Sequence, residues 1–406
     1  MNYDTFTLDN GIRLVHLRTN SFVAHLALLV QTGSRDEDEN EHGLAHLIEH
    51  LLFKGTKKRK AYHIISRLED VGGELNAYTT KEETCIYASF LKEHFTRASE
   101  LIHDIMFNSA FPQKEINREK YVIIDEINSY LDNPGELIFD EFEELLFTDH
   151  PLGRNILGTP ESLESAGRTD ILRFTGQNYA TDEIVLCLIG NISFNRFKSI
   201  ILRQFGDVPV KRRMKLRNPV KNISSGLVTR QKNTYQSHTI IGNTGYKIKD
   251  ERRLALHLLN NILGGPGMNS RLNMALRERN GYSYHTESHY NSYTDTGVVY
   301  IYFSGDKSKL DRSKEIVFRE LKKLRNNRLG DLQFVKAKRQ LMGQIAISAE
   351  HHENLMLTMA KSYLIFNKVD SLEEIRRKID AITTGQILEI ANEILTENKL
   401  FCLTYI

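Results

Sequence analysis

The chain has 406 residues, 40% of them hydrophobic and 26% charged, and a net charge of +2. That is the composition of an ordinary soluble globular protein, and the length leads to an expectation of two or more domains. A charge balance this close to neutral supplies no strong field for nucleic acid or an anionic membrane surface, so neither is expected as a partner. No run of about 18 apolar residues occurs, so no membrane span is expected. The first residues, MNYDTFTLDNGIRLVH, lack the basic start and apolar core of a secretory signal, and a cytoplasmic location is expected. Cys85, Cys187 and Cys402 lie far apart in strand-like surroundings without C-x-x-C spacing and read as buried, reduced thiols.

In chain order, GIRLVHLRT and FVAHLALLVQTGS read as strands, followed by an amphipathic stretch at 43–53 and a second helix, AYHIISRLEDV. After two glycines at 72–73, TCIYASFL (84–91) reads as a strand and HFTRASELIHDIMFN has helical spacing. Pro112 suits the first turn of a further helix, PQKEINREKYVIIDEINSYLD. The segment 208–237 is basic, holds two prolines and has little apolar periodicity, which reads as a solvated linker. The expected division is therefore a domain at 1–208, a linker at 209–237 and a domain at 238–406. The second half repeats the first. ALHLLNNILGG (255–265) follows the apolar skeleton of AHLIEHLLFKG (45–55), and FVKAKRQLMGQI (334–345) matches EINREKYVIIDEI (115–127) in position and pattern. Leu259, Asn260 and Gln344 fall roughly where Glu49, His50 and Glu126 lie, so any metal chemistry belongs to the first domain alone.

That chemistry is carried by HGLAHLIEHLLFKGT (42–56). Residues four apart on a helix are neighbours, so His46 and His50 share a face, with Glu49 about 60° from His46. Two imidazoles can hold one ion while the glutamate hydrogen-bonds a water, and H-x-x-E-H is the inverted zincin motif. With 15 histidines in the chain, chance alone gives about 0.55 H-x-x-x-H pairs, and about 0.07 once an acidic residue must precede the second histidine. His42 cannot share the ion: the rise to His50 is about 12 Å, against zinc–nitrogen bonds of about 2.0–2.1 Å. A catalytic zinc takes three protein ligands and leaves one position open. The helix at 112–131 offers Glu115, Glu119, Asp125 and Glu126. Glu119 and Glu126 share a face with Val122 and Ile123, both read as pointing inward. Two carboxylates on an apolar face call for a cation, which would take one while the other orients a ligand. Spacing alone does not choose between them.

GLAHLIEHLLFKGT (43–56), GGELNAYTTKEETCIY (72–87), REKYVIIDEI (118–127) and HPLGRNILGTPESL (150–163) resemble the pitrilysin–insulinase family of inverted zinc metallopeptidases. GGPGMNSRLNMALRERNGYSY (264–284) and DTGVVYIYF (295–303) are similar to its C-terminal domain. The resemblance runs in order over most of the chain. It is to short, single-half members such as the mitochondrial processing peptidases and bacterial proteases like them. It implies an α+β fold of two homologous domains, each a mostly antiparallel sheet covered by helices, together forming one half of a clam-shell peptidase. It implies one zinc per chain on His46, His50 and Glu126, with Glu119 orienting a ligand and Glu49 as general base. Arg277 and Tyr284, seven residues apart, match the substrate-holding pair of the C-terminal domain. Asn76 and Ala77, on a strand edge, would pair with the backbone of an extended peptide. A chain of half size implies a homodimer whose sites are completed in trans and whose chamber admits unfolded peptides. The alternatives are the catalytic subunit of a heterodimeric processing peptidase and a non-catalytic zinc-binding scaffold.

Overall fold

The computed structural model describes residues 2–221 and 223–406; Met1, at the start of the first expected domain, and Asn222, inside the expected linker, lie outside the described residues. The strands are β1 (Asp4–Thr7), β2 (Arg13–Arg18), β3 (Val23–Val30), β4 (Glu74–Thr79), β5 (Thr84–Leu91), β6 (Ile184–Gly190), β7 (Gly226–Arg230), β8 (Gln236–Gly245), β9 (Ser283–Ser292), β10 (Gly297–Asp306) and β11 (Phe401–Tyr405). The first seven helices are α1 (Leu44–Leu52), α2 (Ala61–Glu69), α3 (Phe95–Asn108), α4 (Gln113–Leu131), α5 (Pro134–Leu146), α6 (Pro160–Ser165) and α7 (Arg168–Asn178). Then come α8 (Phe194–Phe205), α9 (Arg253–Gly264), α10 (Leu310–Asn326), α11 (Asp331–Glu350), α12 (His352–Phe366), α13 (Leu372–Ala381) and α14 (Thr384–Ile394). No described helix is long and apolar enough to cross a membrane. The three cysteines are free and buried.

The strands form two sheets, ordered β1-β2-β6-β3-β5-β4 and β7-β11-β8-β10-β9. Apart from parallel pairing of β2 with β6 and of β7 with β11, each sheet is antiparallel. The second order repeats the first without β1, so the repeat seen in α1 and α9 extends to the sheets. The expected α+β class is the one observed.

Alternation along the strands explains why both faces are apolar. In β3, Ala24, Leu26, Leu28 and Val30 enter a core with α1, α3 and α8. Ala27 and Leu29, on the other face, meet Met356, Met359 and Ala360 of α12. Burying each such methionine fully contributes about 1.5–3 kcal/mol. The second sheet is built alike, with Ile241, Val299 and Ile301 against α9, α10 and α14 on one face. Ile240, Val298 and Leu403 lie against Ile138, Phe142 and Leu146 of α5 on the other.

The chain divides into two compact units that are discontinuous in sequence. Unit 1 holds residues 1–127, 154–218 and 347–371; unit 2 holds 128–153, 219–346 and 372–406. Each half of the chain thus gives one helix, α5 or α12, to the unit built mainly from the other half, where contiguous domains were expected. The expected solvated linker is also different. Arg213 and Arg217 are largely buried and both bond Asp36 at 2.8 Å, while Lys211 accepts the Thr181 backbone N–H. Residues 226–230 of that segment form strand β7.

Candidate metal centre

Helix α1 exists because Leu44, Leu47, Ile48, Leu51 and Leu52 recur at helical spacing and are all but fully buried. Its start is held from two sides. Gly43 is left-handed (φ 86°), and a Cβ there would lie 2.6 Å from the Leu157 carbonyl oxygen and 2.8 Å from Gly158 Cα. The Glu37 carboxylate accepts the backbone N–H of Ala45 at 2.8 Å and of Gly43 at 3.1 Å, satisfying donors that a helix start leaves open. Helix α4 runs beside it, anchored by the buried Ile116 and Ile123. Val122, expected to point inward, is 44% exposed. The inward stripe runs through 116, 119, 123 and 126, and residue 122 lies off it.

These two helices bring His46, His50 and Glu126 together, with one donor atom of each within 4.8 Å of the others. Among the described residues no other group of three His, Cys, Asp or Glu side chains converges in this way. Glu126 Oε2 is 4.0 Å from His46 Nε2 and 3.9 Å from His50 Nε2. Both separations are too long for hydrogen bonds. Both are within the roughly 4.2 Å that two ligands on one zinc ion can span. Two imidazoles and a carboxylate are also the donor types that zinc favours.

Glu119, buried at the face of α4, has Oε2 3.2 Å from His50 Nδ1. This fixes the His50 ring with Nε2 turned to the cluster, as an orienting partner does. Burial first, and the neighbouring His50 second, push the His46 pKa down to about 4, so the ring stays neutral and able to donate a lone pair. His46 Nδ1 is buried without a partner.

Glu49 is half-buried beside the cluster. Burial foremost, with a smaller push from Glu126, raises its pKa against the opposing effect of the neighbouring Thr79 and His50. An upward shift is the direction that suits a carboxylate for proton transfer. Thr79 ends β4, an edge strand that pairs with β5 alone and packs against α1. Asn76 and Ala77 lie on this strand, opposite Tyr87 and Ile86. His42 is outside the cluster, its Nε2 3.0 Å from the Asn155 carbonyl oxygen.

Arg277 and Tyr284 belong to unit 2. Arg277 lies in a π-helical turn (Asn273–Glu278), its guanidinium 5.1 Å from the centre of the Tyr284 ring, and Tyr284 is 79% exposed. At the position in α9 that corresponds to the metal-type donors of α1, Leu256 and Leu259 are buried in the core. Asn260 there donates to the Ser288 carbonyl oxygen at 2.9 Å. The sequence reading missed Glu37 and Thr79. Neither stands in the motif, and both act across folds of the backbone that spacing does not reveal.

The profile of the insulinase family (peptidase family M16) matches residues 14–160, and that of the M16 inactive domain matches residues 165–341. An uncharacterised zinc protease of Bacillus subtilis is 32% identical over 98% of this chain and 97% of its own length. Another, from Rickettsia bellii, is 32% identical over 98% of this chain and 96% of its own. Among solved structures, a Helicobacter pylori protease superposes with a TM-score of 0.90 at 20% identity, covering 100% of this chain and 99% of that one. An M16 inactive-domain structure from Pseudomonas fluorescens gives 0.92 at 19% identity, covering 100% and 98%.

Proposed function

Taking as premise that the chain belongs to the insulinase family, peptidase family M16, and is a zinc metalloprotease of its single-half kind, we propose that it is an endopeptidase acting on unfolded peptides, with its zinc on His46, His50 and Glu126. The observation that carries this reading is the convergence of those three donors with Glu49 beside them. When bound, zinc supplies a Lewis acid that polarises the scissile carbonyl and makes water nucleophilic near neutral pH. Glu49 accepts the proton of the attacking water and delivers it to the leaving amine. Glu119 holds the His50 ring through Nδ1. The open edge of β4 at Asn76 and Ala77 pairs with an extended substrate backbone. Tyr284 donates a hydrogen bond to the developing oxyanion, and Arg277 pins a substrate carbonyl or carboxylate.

The working enzyme in this reading is a homodimer enclosing a chamber, in which each site combines the zinc ligands of one subunit with Arg277 and Tyr284 of the other. Support comes from the resemblance to single-half members and from the presence of both residue sets in one chain, which makes a different partner unnecessary. A Glu49→Gln protein is expected to keep its zinc and lose cleavage of a quenched, unstructured peptide by at least about a hundredfold; wild-type activity in that variant would sink the mechanism. Mixing inactive Glu49→Gln with inactive Arg277→Ala subunits is expected to restore part of the activity. No recovery after proven subunit exchange would count against sites completed in trans.

A further inference from the structure

Glu119 is buried, and a carboxylate in that position needs more than one imidazole to compensate it. Its second oxygen has a partner outside the H-x-x-E-H motif. Oε1 lies 2.9 Å from Nζ of Lys54, while Oε2 lies 3.2 Å from His50 Nδ1. Lys54 lies two residues past the end of α1, in the turn closed by its backbone N–H on the Leu51 carbonyl oxygen at 3.1 Å, and its side chain reaches Glu119 on α4 from there. Its side chain is 32% exposed against 3% for Glu119, which leaves the stem packed and the ammonium turned onto the carboxylate. The chain of contacts is Lys54 to Glu119 to His50, with both links at hydrogen-bonding or ion-pair distance and all three residues in unit 1.

We propose that Lys54 is a positioning residue of the metal centre: it fixes one oxygen of Glu119 so that the other holds His50 Nδ1–H and keeps Nε2 aimed at the ion. The inference rests on the reading of His50 as a ligand. A lysine serving only to tie α1 to α4 would matter to melting and not to the metal. With Lys54 removed, the Glu119 carboxylate keeps a single partner and is free to turn about its last bond, so the His50 ring loses its fixed orientation. Partners that orient metal ligands typically change metal affinity about 10–100-fold, and one step further out the lower end applies.

The test is the rate of zinc release from the purified, zinc-loaded full chain into a chromogenic chelator, with a thermal melt on each sample. Lys54→Met is expected to release zinc about tenfold faster than wild type, and Lys54→Arg, which keeps the charge, within about threefold. In a Glu119→Gln background, Lys54→Met is expected to add less than about twofold, because its action passes through Glu119. If Lys54→Met does not fold, Lys54→Gln takes its place in the same series. An unchanged release rate, or the full tenfold effect persisting without the Glu119 carboxylate, overturns the proposal. His50→Ala separates the two readings: zinc retained in that variant means that His50 is not a ligand, and that failure belongs to the site assignment, not to Lys54.

Discussion

Asp36 offers the sharpest test of how unit 1 holds its shape. Its Oδ1 accepts from Arg213 and from Arg217 at 2.8 Å, and its Oδ2 accepts from Arg217 at 2.9 Å and from the Gly33 N–H at 3.0 Å. The three side chains are 3%, 10% and 12% exposed. Removing one member of a buried ion pair costs about 3–5 kcal/mol, because a charge is left uncompensated. Here Glu183 still reaches Arg213 at 2.7 Å and Glu82 still reaches Arg217 at 3.3 Å, which places Asp36→Ala near the lower figure, about 3 kcal/mol. For a unit of about 200 residues that is a fall in Tm of about 6–12 °C. Asp38, two residues on, pairs with Lys215, and both of these are about half exposed. Asp38→Ala is therefore expected to cost under about 1 kcal/mol. Calorimetry on the two variants decides the matter, and equal shifts would refute the argument from burial. The pH dependence has a definite sign. Burial alone would raise the Asp36 pKa, but Arg217 foremost, then Arg213 and the Gly33 N–H, bring the net value below its ordinary 3.8. The folded-state pKa is thus depressed, and the stabilisation is complete above 3.8 and lost as pH falls through the folded value. The gap between wild type and Asp36→Asn is expected to close only below about pH 3.8; closure near neutrality would point to a different group.

Two further expectations concern the metal centre. Glu126→Gln should weaken zinc binding, read as metal content after dialysis against a mild chelator, whereas Glu49→Gln should not; full zinc in the Glu126 variant would move the third ligand elsewhere. Gly43→Ala should lower Tm and speed zinc loss together, because a Cβ there meets backbone atoms of Leu157 and Gly158 at 2.6 and 2.8 Å and the residue is left-handed. Wild-type melting in that variant would mean that the start of α1 is less tightly held than its contacts indicate.

The half of the site that lies on one helix was legible, because four-residue spacing is a local property of the chain. The other half was not. Glu119 and Glu126 both sit on the inward stripe of α4, and only the resemblance chose between them at the sequence level. Val122 was misplaced because a hydrophobic residue beside a stripe reads like a member of it. The basic run was misread for a related reason: Arg213 and Arg217 find Asp36 about 180 positions away, and charge pairing at that range leaves no trace in composition. The same holds for α5 and α12. Their amphipathic patterns announce helices, and nothing in either pattern says which sheet it will cover.

The exchange of those two helices bears on how the protein is made. Sheet 1 has all its strands once residue 190 has been synthesised, yet Val15, Ala27, Leu29, Cys85, Val185 and Cys187 keep one face bare until the stretch bearing Met356 and Met359 arrives. A growing chain therefore carries an uncovered apolar surface from the completion of β6 at Gly190 until α12 (His352–Phe366) has been made. Severing the chain at residues 209–237 would likewise strand each fragment without the helix that covers its sheet, so the two pieces would be obliged to meet in order to fold.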